Sequence, residues 1–207
     1  MATILSLLLL VQTMQSAESL RFAQVAEQGY DTSCGLSVLA ELLTRYWNYP
    51  ISEEALLAEW SVLRQMSGQP QNPTSTRNQE NYSVSFKDMQ DLLSHHGFTS
   101  KAFRFTYEQL VKASGSYAPL ILHFADQEGH FVLCLYAEDD FLVIADPAEG
   151  VYWLSREDRL PRWQGYALLV QKTGQKKEKG TLDRIVQEAQ EKRETLQKLS
   201  LIRCGGR

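Results

Sequence analysis

The sequence predicts an α+β domain in which N-terminal helices pack on a C-terminal antiparallel sheet, with a helical tail after the sheet. Apolar residues recur at helical spacing up to about residue 95, and they alternate in short runs between residues 120 and 170. Helical spacing returns after residue 181. Because 43% of the 207 residues are hydrophobic, the chain has enough apolar material for one core.

Three helices are predicted in the first half of the chain. The first covers residues 34–47, and Ser52 is the N-cap of the second. The capping box Ser85-Phe86-Lys87-Asp88 begins the third helix, and Gly97 ends it. Residues 67–82 are rich in Gly, Pro, Gln, Asn, Ser and Thr, which predicts a surface loop that contacts substrate.

The second half is predicted to form the sheet. Residues 98–107 alternate around Phe103 and Phe105, which predicts a first strand, and a short helix over residues 107–113 follows it. Four further strands, separated by Asp, Glu and Gly turns, are predicted at residues 120–124, 130–136, 141–145 and 166–170.

Composition divides the chain into four parts. Residues 1–17 are uncharged and apolar, resemble a secretory signal peptide without a basic start, and predict export to the periplasm. The α+β domain covers residues 18–171, and 172–180 form a charged linker. Residues 181–207 predict an amphipathic tail helix, interrupted at Lys192, through which the chain binds a partner or associates with itself. The mature chain is predicted to have no transmembrane span.

The charges argue against nucleic acid as a partner. From Gln171 onward ten Lys or Arg accompany five Asp or Glu, whereas the preceding residues carry eleven basic and twenty acidic side chains. A phosphate-binding domain needs a basic surface, and this domain is acidic.

Cys34 is the candidate nucleophile. It lies where an irregular segment becomes an amphipathic helix, and the N–H groups and dipole of a helix N-terminus stabilise a thiolate. Gln28 has a side-chain amide that can donate a hydrogen bond to an oxyanion formed beside the sulfur. Three cysteines cannot all pair within one chain, so at least one thiol stays free. The alternative interpretation of Cys34 is a buried structural cysteine.

His130 and Asp146 are the candidate base and the candidate group that orients it, both of which a cysteine nucleophile needs. His130 begins one predicted strand and Asp146 ends the next, so a hairpin that turns at residues 138–140 brings their side chains together. Taken alone, His130 also fits a core histidine, and Asp146 fits a turn residue before proline. His95 and His96 are interpreted as a solvated pair at the end of a surface helix.

Four separated motifs resemble the bacteriocin-processing, double-glycine branch of papain-like cysteine peptidases. The resemblance covers about residues 22–170. The motifs are Gln28 through Gly35, the helix of residues 87–95 followed by Gly97-Phe98, Gly129-His130-Phe131-Val132, and Asp146-Pro147 with Gly150.

This resemblance implies a papain-like fold with Cys34 as nucleophile, His130 as general base and Asp146 as its orienting group. It implies an oxyanion hole formed by Gln28 and the Cys34 backbone N–H, and it implies no metal or other cofactor. The sequence contains no GxxxxGK[ST] phosphate-binding loop, unlike the transporter-borne members of the branch. A stand-alone, exported form is similar to the peptidases of functional-amyloid secretion systems. The implied substrate is an exported protein or peptide, such as an amyloid subunit or a secretion partner.

Three other functions fit parts of the sequence. A peptidase-fold module that binds an export substrate without cutting it is the main alternative, although the candidate catalytic residues argue against it. A peptidoglycan amidase of related architecture also fits the exported location. Metal binding through His123, Asp126, Glu128 and His130 does not match a recognised ligand spacing.

Overall fold

The structure is a computed structural model that describes residues 34–67, 84–125, 129–155, 157 and 163–204. The predicted signal peptide, Gln28 and almost all of the predicted loop 67–82 lie outside these residues. The described part has helices and an antiparallel sheet, which confirms the predicted α+β class.

Three helices precede the sheet, and their capping residues act as predicted. The Ser52 side chain accepts a hydrogen bond from the Ala55 N–H at 3.2 Å. Ser85 and Asp88 form the predicted capping box. The helices are α1 (Cys34–Glu41), which continues as a π-helix (Leu42–Tyr46), α2 (Glu53–Met66) and α3 (Phe86–His95).

The described sheet has six antiparallel strands in the order β1-β6-β2-β3-β4-β5. A helix, α4 (Tyr107–Tyr117), connects the first two strands, and α5 (Lys179–Cys204) follows the last. The strands are β1 (Thr99–Arg104), β2 (Leu120–Phe124), β3 (His130–Ala137), β4 (Phe141–Asp146), β5 (Gly150–Ser155) and β6 (Trp163–Gln171).

Three elements differ from their predictions. The strand β5 was not predicted, because its side chains are mostly half-buried at the edge of the sheet and lack a clear alternating pattern. Helix α4 extends to Tyr117 instead of ending at Ala113. Helix α5 begins at Lys179 and passes Lys192 without the predicted interruption, since Lys and its polar neighbours are all acceptable on an exposed helix face.

Side chains cover both faces of the sheet. On one face Leu36 and Leu39 of α1 pack in a core cluster with Leu133 of β3 and Ile185 of α5. On the other face α4 contributes Tyr107 and Leu110 to a second cluster with residues of β2, β3, β4 and β6. The neighbouring strands β3 and β4 both lie inside the sheet and are almost wholly buried, which holds their end residues in fixed positions.

The segment of residues 172–178, predicted as part of a charged linker, packs against the domain. Lys177 donates hydrogen bonds to the carbonyl oxygens of Tyr117 and Pro119, the latter at 3.1 Å. The Glu178 N–H donates to the Tyr46 carbonyl oxygen at 2.7 Å. These contacts attach the beginning of α5 to the helical layer. Within the described ranges, no helix combines the length and the apolar character that crossing a membrane requires.

Candidate active site

Cys34 is the first residue of α1 and is partly buried. The next residue, Gly35, allows α1 to lie close against β3 and α3. A Cβ at Gly35 would lie 3.2 Å from Phe131 Cδ2 and 2.8 Å from Met89 Cε, closer than side chains normally pack. The absence of a side chain at Gly35 thus brings the beginning of α1, and with it the cysteine, to the end of β3.

His130 and Asp146 lie side by side at the same end of the sheet. His130 begins β3 and Asp146 ends β4, and the antiparallel ladder pairs Leu133 with Ala145. The His130 Nε2–H donates to Asp146 Oδ2 at 2.9 Å. The hairpin inferred from the sequence is present, with its turn after Ala137, and it brings the two side chains into contact.

The Asp146 carboxylate is held by three donors and has 1% of its surface exposed. Its Oδ1 accepts a hydrogen bond from the Ala148 N–H at 2.8 Å. Its Oδ2 accepts one from the Tyr152 hydroxyl at 3.1 Å in addition to that from His130. Buried carboxylates need hydrogen-bond donors to offset the loss of water, and these three donors fix the position of the Asp146 side chain. Tyr152 was not predicted as a site residue because it lies on β5, the strand that the sequence pattern did not predict.

Cys34 also interacts with His130. Burial lowers the pKa of His130, but hydrogen bonds to Asp146 and Cys34, together with the charges of both groups, raise it to about 10. The imidazolium form of His130 is therefore favoured at neutral pH, beside the side chain of the candidate nucleophile. Because Nε2 binds Asp146, Nδ1 is the nitrogen left for proton exchange with the sulfur.

An aromatic cluster packs next to the beginning of β3. The ring of Phe131 lies 4.8 Å from that of His123 and 5.2 Å from that of Phe86, measured between centroids. Gly129 has φ 77°, and a Cβ there would lie 2.7 Å from His123 Nε2. Glycine thus permits both the turn into His130 and the position of His123.

Two of the four residues suggested as metal ligands, Asp126 and Glu128, lie outside the described residues. The other two, His123 and His130, are placed in the aromatic cluster and in the contact with Asp146. The part of the chain that the structure describes holds no group of three or more His, Cys, Asp or Glu arranged to bind a metal ion.

The predicted solvated pair of histidines is wrong for His96. His95 is exposed, but His96 contacts Glu59 Oε2 through Nε2 at 2.8 Å and the Tyr49 hydroxyl through Nδ1 at 2.9 Å. The carboxylate comes from α2, an element that the local sequence around His96 does not reveal. Gln28 lies outside the described residues, so its place in an oxyanion hole stays a prediction.

Known proteins with similar structures are peptidase domains. The peptidase domain of Streptococcus ComA, a bifunctional ABC transporter of a quorum-sensing pathway, has 19% identity and a TM-score of 0.54; the match covers 72% of this chain and 98% of that one. A double-glycine-motif protease from an AMS/PCAT transporter, solved with a leader peptide, has 20% identity and a TM-score of 0.50, with 72% and 91% covered. These similarities confirm the predicted papain-like fold.

Sequence relatives include proteases. A probable functional amyloid protease, FapD, of Pseudomonas fluorescens is 28% identical over 172 residues, which are 82% of this chain and 70% of the relative. A putative ABC transporter ATP-binding MG390 homolog of Mycoplasma pneumoniae is 27% identical over 150 residues, and the match covers 72% of this chain but 19% of that longer protein.

A family model supports the same assignment. The model of the Peptidase C39 family matches residues 71–175, half of the chain, a range that contains His130 and Asp146 and begins after Cys34. With this match, the chain belongs to the Peptidase C39 family of cysteine peptidases.

Proposed function

We propose that this chain is a cysteine endopeptidase that cuts a peptide bond in an exported protein or peptide. Cys34 is the nucleophile, His130 the general base and acid, and Asp146 the residue that orients His130. The observation that carries the proposal is that His130 interacts with both Asp146 and Cys34. This arrangement is the one that nucleophilic catalysis by cysteine requires.

The proposed reaction begins from a thiolate on Cys34 and an imidazolium on His130. The sulfur attacks the carbonyl carbon, and the oxyanion that forms accepts hydrogen bonds from the Cys34 N–H and from Gln28. When the C–N bond breaks, His130 gives its proton to the leaving amine, and the acyl group remains on sulfur as a thioester. His130 then takes a proton from water, the hydroxide attacks the thioester, and release of the acid restores the thiolate and the imidazolium.

The proposed substrate is the leader segment or another processing site of a secreted protein. A functional-amyloid subunit or a partner of its secretion is the preferred candidate, supported by the name of the Pseudomonas relative. Recognition of a leader peptide is supported by the transporter protease that was solved with one bound. Action in the periplasm is part of this proposal, and the apolar character of residues 1–17 supports it.

Co-expression with the exported proteins encoded beside this chain tests the proposal. We expect one exported protein to become shorter with the wild type and to keep its full mass with Cys34→Ala, as measured by intact-mass spectrometry of periplasmic fractions. Cys134→Ala is the matched control, because Cys134 lies in the core cluster that contains Tyr107 and Leu110 of α4, on the sheet face away from α1. This substitution should leave processing intact. Processing that continues with Cys34→Ala, or binding without any change in mass, contradicts the peptidase proposal.

A further inference from the structure

We propose that Tyr152 is a positioning residue that sets how readily His130 gives up its proton, by sharing the Asp146 oxygen that holds His130. This inference rests on the proposed peptidase function, since it assigns Tyr152 a role in the same proton transfers. The proposed role acts through the hydrogen bond that Tyr152 donates to Asp146.

The geometry places two donors on one carboxylate oxygen. The Tyr152 hydroxyl lies 3.1 Å from Asp146 Oδ2, and His130 Nε2 lies 2.9 Å from the same atom. The remaining oxygen, Oδ1, is already bound by the Ala148 N–H. Because 1% of Asp146 is exposed, solvent cannot replace a donor that is lost.

The sharing of Oδ2 weakens the hold of Asp146 on the imidazolium proton. A carboxylate oxygen that accepts two hydrogen bonds has less charge available for each of them than an oxygen that accepts one. His130 has to keep its proton before attack and release it to the leaving amine afterwards. If Asp146 served His130 alone, the imidazolium would be a weaker acid and the leaving amine would be protonated more slowly.

Removing the Tyr152 hydroxyl leaves the other titratable groups around His130 in the protein. Cys34 of α1 and Asp146 of β4 interact with His130, and Tyr152 of β5 donates a hydrogen bond to Asp146. His123 of β2 lies against the preceding residue, Gly129, and against Phe131. The change Tyr152→Phe removes one hydrogen bond to Asp146 and introduces no ionisable group.

The test compares Tyr152→Phe with Tyr136→Phe in the full chain. Tyr136 is a matched control, because its hydroxyl also donates to a carboxylate, Glu138 Oε1 at 2.6 Å, at the other end of β3. For Tyr152→Phe we expect kcat to fall about twofold to threefold with KM unchanged, because a general acid that is weaker by about half a pKa unit transfers its proton more slowly by at most about this factor. The alkaline limb of the profile of kcat/KM against pH should move upward by about half a pH unit. Tyr136→Phe should match the wild type in all three measurements.

A titration of His130 by histidine NMR in both variants separates this role from a structural one. The expected result is an upward shift of the His130 transition in Tyr152→Phe and none in Tyr136→Phe. A Tyr152→Phe protein with lower thermal stability but an unmoved His130 transition overturns the inference, and so does an equal shift in the control. Because the titration needs no substrate, it decides about Tyr152 even if the wild type cleaves nothing, a result that would refute the proposed function alone.

Discussion

At the scale of single residues, two glycines place the candidate catalytic side chains. Gly35 lets the beginning of α1 approach Phe131, and Gly129 gives the chain the positive φ with which it enters His130. Neither glycine has a reactive side chain, yet each is the direct chain neighbour of a candidate catalytic residue, Cys34 or His130. Catalytic geometry here depends on positions where any side chain would collide with a neighbour.

Gly129→Ala tests this dependence, with Gly174→Ala as its control. Both glycines have φ 77°, so both substitutions impose the same backbone strain, of about 1 kcal/mol. At Gly174 a Cβ meets nothing within 4 Å, whereas at Gly129 it meets His123 Nε2 at 2.7 Å. We expect a larger loss of unfolding free energy for Gly129→Ala than for Gly174→Ala, because the collision with His123 adds to the backbone strain. We also expect a loss of kcat/KM of about tenfold or more for Gly129→Ala only, because displaced catalytic groups work poorly. Equal kcat/KM in the two variants would contradict this.

The sequence indicated three of the site residues because local patterns mark each of them. Cys34 starts a helical pattern, and His130 and Asp146 lie at the two ends of a predicted hairpin whose geometry the structure has. Tyr152 was missed because its strand was missed, and His96 was misinterpreted because its partner Glu59 belongs to another helix. A contact between two elements that are distant in sequence leaves no local sequence pattern that would predict it.

At the scale of elements, the segment of residues 172–178 attaches the tail helix to the domain. Lys177 is enclosed there, and burial lowers its pKa to about 7. In the unfolded chain the ordinary pKa of lysine is about 10.4. Between these values the unfolded chain binds a proton that the folded chain lacks, so Lys177 makes the fold more stable as pH rises from about 7 to 10.

Lys177→Met removes this pH-dependent term. The stability advantage of the wild type over the variant should grow between pH 7 and pH 9 in urea unfolding. His130 acts in the opposite direction in the same window, because its folded pKa of about 10 lies above the usual 6.5, but it is present in both proteins and cancels. Lys176→Met, at an exposed neighbour, should show a constant difference from the wild type. A constant difference for Lys177→Met as well would refute the assignment.

At the scale of the whole molecule, the antiparallel sheet holds the candidate base and its candidate orienting residue, and helix α1 brings the candidate nucleophile to them. The α+β class was predictable because helical and alternating patterns occupy separate halves of the chain. The order of the strands was not predictable, because β6 pairs with β1 and β2, two strands that lie far from it in the sequence. Strands β3 and β4 lie inside the sheet, where both faces are covered. Burial on both faces holds the two strands rigidly, and this fixes the candidate site residues at their ends.

The central claim is that His130 maintains Cys34 as a reactive thiolate. The rate of Cys34 alkylation by iodoacetamide at pH 6, followed by peptide mass spectrometry in the wild type and in His130→Ala, tests it most directly. An unassisted thiol with the usual pKa of 8.5 is about 0.3% ionised at this pH. The ion pair predicts that Cys34 reacts about tenfold faster or more in the wild type than in His130→Ala. Equal rates in the two proteins would contradict the claim.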